Sequence, residues 1–229
     1  MSDAAALAGY RLADSFLPVG SDSVSYGLEQ FVAADRVADA ADLEALLEGF
    51  LTQQVGPADL VALRAAHAGT AAADLDAVAE ADRRLTAVTL AAEFRESSER
   101  AGQRLLSLQR DLRDDDFLEA YAARLADDAV PGTYPVVLGV VAARDGIEAR
   151  EACLLYCHGF LTGLLGAAQR LLSFGHADAQ RVLDSLRPAV VAAVDDSGGR
   201  GIDEMTPFAP LTDVLAAAHE RADRRLFLS

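Results

Sequence analysis

The sequence predicts an all-α protein, a single-domain helical bundle of up to about ten helices, and three observations carry that prediction. Alanine and leucine dominate the 229 residues, and both favour helix. No sustained alternation of β-branched residues marks a strand. Apolar residues recur at three- and four-residue spacing, as in Leu43, Leu46, Leu47, Phe50 and Leu51, which lays a stripe along one helix face.

Along the chain, Asp14 to Gly20 reads as a turn region, because Pro18 and Gly20 both oppose continuous helix. Ser23 or Asp22 can then cap a short helix through Phe31 and Val32. Asp42 can cap the helix that carries Leu43 to Leu51, and Gly56-Pro57 should end or kink it. A further helix runs from Asp59 to about His67. Asp74 to Leu112 holds no proline and a single glycine, Gly102, so it forms one long helix or two stacked ones. Asp114 to Asp127 is a shorter helix. Val130-Pro131-Gly132-Thr133 breaks the chain, with Thr133 placed to cap the apolar run Val136 to Ala143, which Gly146 ends. Helix follows from about Glu148 to Leu172, and Ser173-Phe174-Gly175 turns. Ala179, Val182, Leu183, Leu186, Val190 and Val194 stripe the next helix. Residues 195–208 read as a loop that does not divide two large domains, and a last helix begins near Pro210 and runs toward Arg225.

Composition excludes several classes of function. Lys and Arg total 20 against 36 Asp and Glu, a net charge of −16, and every one of the cations is arginine. Without lysine there is no GxxxxGK[ST] phosphate loop and no Schiff-base chemistry. The acidic balance disfavours nucleic acid, whose backbone is gripped by Lys and Arg. A hydrophobic content of 52% with 24% charged residues is too apolar for a disordered acidic tail. Cys153 and Cys157 make no disulfide framework, and no secretory signal is visible. The longest uncharged run, Ala152 to Gln169, is 18 residues, near the lower limit of a membrane span. His158, Gly159, Thr162, Gly163, Gly166 and Gln169 dilute it, so it reads as a buried core helix of a cytoplasmic protein with no membrane partner.

Searches for chemistry return gaps. Ser197-Gly198-Gly199-Arg200-Gly201 lacks the GxGxxG pattern and a flanking strand. His219-Glu220-Arg221-Ala222-Asp223 begins like HExxH and ends in aspartate. Cys153 and Cys157 share a helix face near His158, a set that suits a soft cation but equally a pair of small buried hydrophobes. Gly159, Gly163 and Gly166 suggest close approach by another backbone. Asp111, Asp114, Asp115 and Asp116 lack calcium-loop spacing and read as a solvated turn. No catalytic, cofactor or metal residues are assigned. The residues by themselves point to a helical binding or scaffold protein; a generic helical adaptor and a helical metalloenzyme using buried carboxylates and His are the rival readings.

Several segments, in order, resemble one family. Leu12 to Gly20 with Ser25-Tyr26-Gly27-Leu28-Glu29 is similar to the opening of the urease accessory family UreF. Glu96 to Leu106, Thr133 to Gly139 and Leu171 to Gln180 resemble its central elements, and Pro207 to Leu211 with His219 to Ser229 resembles its ending. Departures lie at Ser21 to Val24, at Thr133 for histidine, at Ser173 and His176 for proline and glutamine, and at Ala217 or Ala218 for methionine. The resemblance implies an all-α, dimeric protein that assists nickel insertion into the urease apoprotein. It implies binding to the accessory scaffold UreD (also called UreH), and recruitment and modulation of the GTPase UreG, with no catalysis of its own. On that reading Asp14, Pro18, Gly20, Tyr26, Gly27 and Glu29 shape one partner face, Gly27 by permitting close approach. His219, Glu220, Arg221, Arg224, Arg225 and Phe227 dock the other scaffold through Arg forks and an aromatic anchor.

The acid excess without lysine fits a salt-loving host, since self-repulsion is screened when the Debye length falls to ~3 Å at 1 M salt. A GC-rich genome favours the same Arg and Ala codons. If salt adaptation shapes the surface, the melting temperature rises from low to multimolar KCl; a melting temperature indifferent to KCl removes that reading.

Overall fold

The computed structural model describes residues 2–14, 16–19, 26–127 and 129–219, with side chains to residue 215. The described chain is helical and holds no strand. Its α-helices are α1 (Asp3–Leu12), α2 (Leu28–Ala33), α3 (Ala40–Phe50), α4 (Leu60–Ala71), α5 (Leu75–Val88), α6 (Ala92–Leu112), α7 (Asp116–Ala126), α8 (Tyr134–Arg144), α9 (Ala149–Leu171), α10 (His176–Ser185), α11 (Arg187–Ser197) and α12 (Pro210–His219). A π-helical segment, Leu51–Asp59, joins α3 to α4, and a short 3-10 turn covers Ile202–Glu204.

A helix apolar on every side must be buried, and α8 is one: Pro135 to Ala142 are all buried. It lies between α4, α6 and α9, with α5 packed on the far side of α4. Gly139 lets α8 and α4 meet, because a Cβ there would stand 2.4 Å from the Leu63 carbonyl oxygen. α9 is the one described helix long and apolar enough by composition to cross a membrane, yet it packs against α4, α8 and α11. Its buried side chains, among them Cys153, Cys157, Leu161 and Leu164, belong to the main core. That placement agrees with the expected core helix. No backbone approaches Gly159 or Gly166, however; a Cβ at either would meet nothing within 4 Å, so the glycine spacing leaves that face of α9 open.

The turn that starts α8 is held by a buried carboxylate. Asp82 of α5 is wholly buried. It accepts from the Tyr121 hydroxyl of α7 at 2.6 Å, from Gly132 N–H at 2.7 Å, from Thr133 N–H at 2.9 Å and from the Thr133 hydroxyl at 2.6 Å. Thr133 occupies the N-cap of α8 as expected, but its hydroxyl serves Asp82 rather than the helix. Ser98 Oγ accepts from Tyr134 N–H in its place, at 3.1 Å. Gly102 of α6 passes under the same turn, where a Cβ would fall 2.1 Å from the Gly132 carbonyl oxygen.

Other local expectations are adjusted by geometry. Asp39, not Asp42, caps α3, accepting from Ala41 and Asp42 N–H at 2.9 and 3.0 Å; Asp42 reaches back to Ala38 N–H at 3.0 Å. The 74–112 region is two helices, broken where Thr89 turns extended and Arg95 donates to the Thr89 and Leu90 carbonyls at 2.7 Å each. The stripe from Ala179 to Val194 spans two helices, because Pro188 lacks an N–H and starts α11 afresh. The loop expected over 195–208 is shorter. α11 continues through Asp195 and Asp196 to Ser197, and Ile202–Glu204 forms a 3-10 turn. The Arg64 guanidinium of α4 closes the end of α11 by donating to the Val194 carbonyl at 2.8 Å and to Ser197 Oγ at 2.9 Å.

Replacing Asp82 by Ala orphans several buried donors, so it should lower unfolding free energy by at least about 3 kcal/mol. Gly102→Ala should lower it by about 1–3 kcal/mol through overpacking. Urea denaturation of each variant checks both; wild-type midpoints would refute the assignment of this turn as the anchor of α8.

Candidate functional site

Pro57 has no N–H, so an α-helical ladder cannot close across it. The chain answers with π-helical bonding from Leu51 to Asp59, ending where Leu60 N–H donates to the Val55 carbonyl. The Gly56-Pro57 pair thus widens the helix where a stop or kink is expected. Gly56 also admits α11: its Cβ would sit 3.4 Å from that of Ala193. The segment delivers Asp59 into the interior, 9% exposed.

Asp59 Oδ2 accepts from the Tyr156 hydroxyl of α9 at 2.8 Å. Burial raises the Asp59 pKa to about 7, and the Tyr156 hydrogen bond opposes that rise only in part. Tyr134 lies with its ring centroid 6.0 Å from that of Tyr156, and burial pushes its hydroxyl up to about 12. Tyr26 completes the group, its ring 4.9 Å from Phe160 and 5.1 Å from Phe94. Its pKa is raised first by burial and then by the charge of Asp59, while hydrogen bonding to Tyr156 works against both. Three of the chain's five tyrosines therefore gather at one buried carboxyl. Small cavities line up along them. One of about 60 Å³ is bounded by Tyr26, Ser97, Tyr134, Tyr156 and Gly163. One of about 20 Å³ lies between Tyr26, Tyr156, Thr133 and Asp59. A third, of about 30 Å³, runs from Asp59 to Leu90, Pro207 and Asp213.

A larger groove of about 590 Å³ opens between α3, the π-helical segment and residues 206–212, lined by Phe31, Leu46, Phe50, Pro57 and Leu211. Phe208 N–H donates to the Gln53 carbonyl at 2.9 Å and ties the two walls together. Phe208 and Val214 stand 74% and 65% exposed beside it.

The residues expected at the partner faces separate. Asp14 is exposed and accepts from Phe16 N–H at 2.8 Å, which forms a tight turn. That turn presents Phe16 at 91% exposure, and Pro18 is exposed beside it. Tyr26 turns inward to the aromatic group instead. Gly27 is needed for its backbone angle, φ +76°, and not for close approach, since a Cβ there would meet Phe94 at an ordinary 3.8 Å. Glu29 is half-buried in the first turn of α2. His219 closes α12; Gly20, Glu220, Arg221, Arg224, Arg225 and Phe227, with the His219 side chain, lie outside the described residues.

Asp59, Tyr134 and Tyr156 are not singled out by sequence reasoning. The available signal is Gly-Pro inside an apolar helical run with an Asp two residues on. Chemically the group is a proton-exchanging carboxyl among phenols. The two thiols are poor nucleophiles, because burial lifts Cys153 to about 11 and Cys157 to about 12. Among the described residues no three His, Cys, Asp or Glu side chains come together as a metal site.

Comparison with known proteins adds the following. A family profile described as UreF matches residues 37–187. The "Urease accessory protein UreF" of Trichodesmium erythraeum is 33% identical over 225 residues, covering 96% of this chain and 95% of the relative. The protein of the same name from Photorhabdus laumondii is 35% identical over 220 residues, 95% of each. "Urease accessory protein UreF 1" of Brucella melitensis is 33% identical, over 96% of this chain and 90% of its own length.

The raised pKa of Asp59 fixes the sign of a pH dependence. Between the ordinary carboxylate value and about 7 the folded state holds a proton that the unfolded state has lost, so this group's contribution to stability is full below pH 4 and is lost as pH rises to about 7. Asp59→Asn removes that dependence. Its stability relative to wild type should grow by about 4 kcal/mol between pH 4 and pH 8, read from urea midpoints. An offset that stays constant with pH would contradict a carboxyl titrating near neutrality.

Proposed function

Since the chain belongs to the UreF family of urease accessory proteins, we propose that it is a cytoplasmic, dimeric scaffold that assists nickel insertion into the urease apoprotein. It binds the UreD/UreH scaffold and, through that complex, recruits and modulates the GTPase UreG. The observation that carries this reading is similarity to urease accessory proteins over 95–96% of the chain. The geometry supports it in kind. A helical body presents exposed apolar side chains on two separate segments, Phe16 near the first expected partner face and Phe208, Leu211 and Val214 on the approach to the second.

A scaffold modulates a GTPase by holding one of its states more tightly than the other, which needs a fixed surface and no bond-making side chain of its own. The segment around Asp14, Pro18 and Gly20, continued by Tyr26, Gly27 and Glu29, forms one such surface. Tyr26 acts from beneath, by fixing the backbone that carries Gly27 and Glu29. The tail from His219 through Phe227 forms the other, where arginines meet carboxylates in bidentate pairs and Phe227 fills an apolar pocket.

Deleting residues 223–229 should abolish capture of the UreD/UreH scaffold and leave the helical circular dichroism unchanged. Undiminished scaffold capture by the truncated chain would overturn the assignment of the tail.

A further inference from the structure

Asp59 and Asp82 are both buried carboxylates with a tyrosine hydroxyl on them, yet their surroundings differ. Asp82 has four donors. Among the described residues Asp59 has one, Tyr156. A carboxylate with several donors is held ionised; one with a single donor in an apolar setting sits close to the balance between its two forms. Tyr26, next along the chain of phenols, is held in a left-handed backbone conformation, φ +46°. That conformation is disfavoured for a residue with a bulky side chain, so surrounding contacts must maintain it. Those contacts are the rings of Phe94 and Phe160 and the Tyr156 hydroxyl. Tyr26-Gly27 leads directly into α2, which begins at Leu28.

We propose that Asp59, Tyr156 and Tyr26 form a proton-controlled latch that fixes the Tyr26-Gly27 turn, and with it α2, to the helical body. With Asp59 ionised, Tyr156 must donate to it, and the Tyr156 oxygen is left free to accept from Tyr26. The hydroxyls then point one way along the chain, and each bond strengthens the next. A proton on Asp59 removes that compulsion. The neutral carboxyl can donate to Tyr156, the charge-assisted bond is lost, and Tyr26 is left in a strained conformation with weaker support. The cavities on either side of Asp59 give the proton a route, one toward Tyr26 and Tyr156 and one toward Asp213.

The other groups facing Asp59 do not substitute for it in this role. Tyr134 of α8 and Tyr156 and Cys157 of α9 are all shifted upward by burial and stay protonated near neutrality. Arg95 of α6 borders the same cavity but donates to the Thr89 and Leu90 carbonyls. Asp213 of α12 lines the far cavity, and burial raises its pKa too, so it is the control.

The latch concerns the folded chain alone and stands whether or not the partners are those proposed above. The test is hydrogen exchange of residues 27–33 in the whole protein from pH 5.5 to 8.5, corrected for intrinsic exchange, beside a carbon-13 NMR titration of the aspartate carboxyls. Protection of 27–33 should rise about tenfold as pH increases through the Asp59 titration, the difference between a neutral and a charge-assisted hydrogen bond. Asp59→Asn should hold protection at the low-pH level throughout. Tyr156→Phe should move the Asp59 titration upward and abolish the rise in protection, and Asp213→Asn should retain the wild-type response. Asp59 titrating in the ordinary carboxylate range would overturn the proposal. So would protection of 27–33 that ignores pH in the wild type, or a pH response that survives in Asp59→Asn with its fold intact by circular dichroism.

Discussion

The convergence of four donors on Asp82 is the constraint from which most of the core follows. A buried carboxylate without partners is intolerable in a low-dielectric interior. This one is satisfied by hydroxyls and backbone amides, with no arginine among its hydrogen-bond donors. Two of the four donors are consecutive backbone N–H groups, so the bond pattern fixes the chain direction as well as its position. That direction is the axis of α8. Once α8 is aimed, Gly139 brings it down on Leu63 of α4, and helices α5, α6 and α9 pack around that pair. Gly102 is the matching relief on α6, since any side chain there would strike the same turn. The result is an interior whose layout is set by one ion and two glycines.

Around that rigid centre the chain distributes its less settled parts. The ion pairs, such as Arg110 with Glu119 or Arg187 with Asp184, lie largely on the surface and contribute little each. Apolar side chains stand out toward solvent at Phe16, Leu90, Phe208 and Val214, on loops and on α12 rather than on the central helices. Asp59 belongs to neither regime. It is as deep as a core residue but lightly bonded, and it sits beneath the turn that leads from the N-terminal region into α2. An accessory protein of this family thus combines a fixed helical frame with peripheral segments suited to contact.

Much of the frame was legible from composition and spacing. The all-α class, the central apolar run 136–143, the turn at 173–175 and the stop at Gly146 follow from apolar period and from glycine and proline chemistry. The misplacements were local and have local causes. Pro188 splits a stripe that looks continuous because apolar spacing carries across the break. Asp39 outcompetes Asp42 as a cap because the helix starts three residues earlier. The candidate site was far less legible. Tyr26 could be found through motif resemblance, but its inward orientation depends on a positive φ that no neighbouring residue type advertises. Asp59, Tyr134 and Tyr156 lie 75 and 22 residues apart in sequence and meet only because α8 and α9 fold back on the π-helical segment. Nothing in the periodicity of any one segment encodes that meeting.

The wide turn between Leu51 and Asp59 has a consequence for how the sequence tolerates insertion and deletion. Bonds from i to i+5 hold more chain per turn than α-helical bonds do. Removing a single residue there would let the helix tighten to the ordinary pitch and rotate everything beyond it by about 100°. Leu60, Leu63 and Ala66 would then face outward and Asp59 would leave the interior. The surplus residue acts as a phase setting for the whole of α4, so natural variation in chain length should be confined to the surface turns and stop short of this segment.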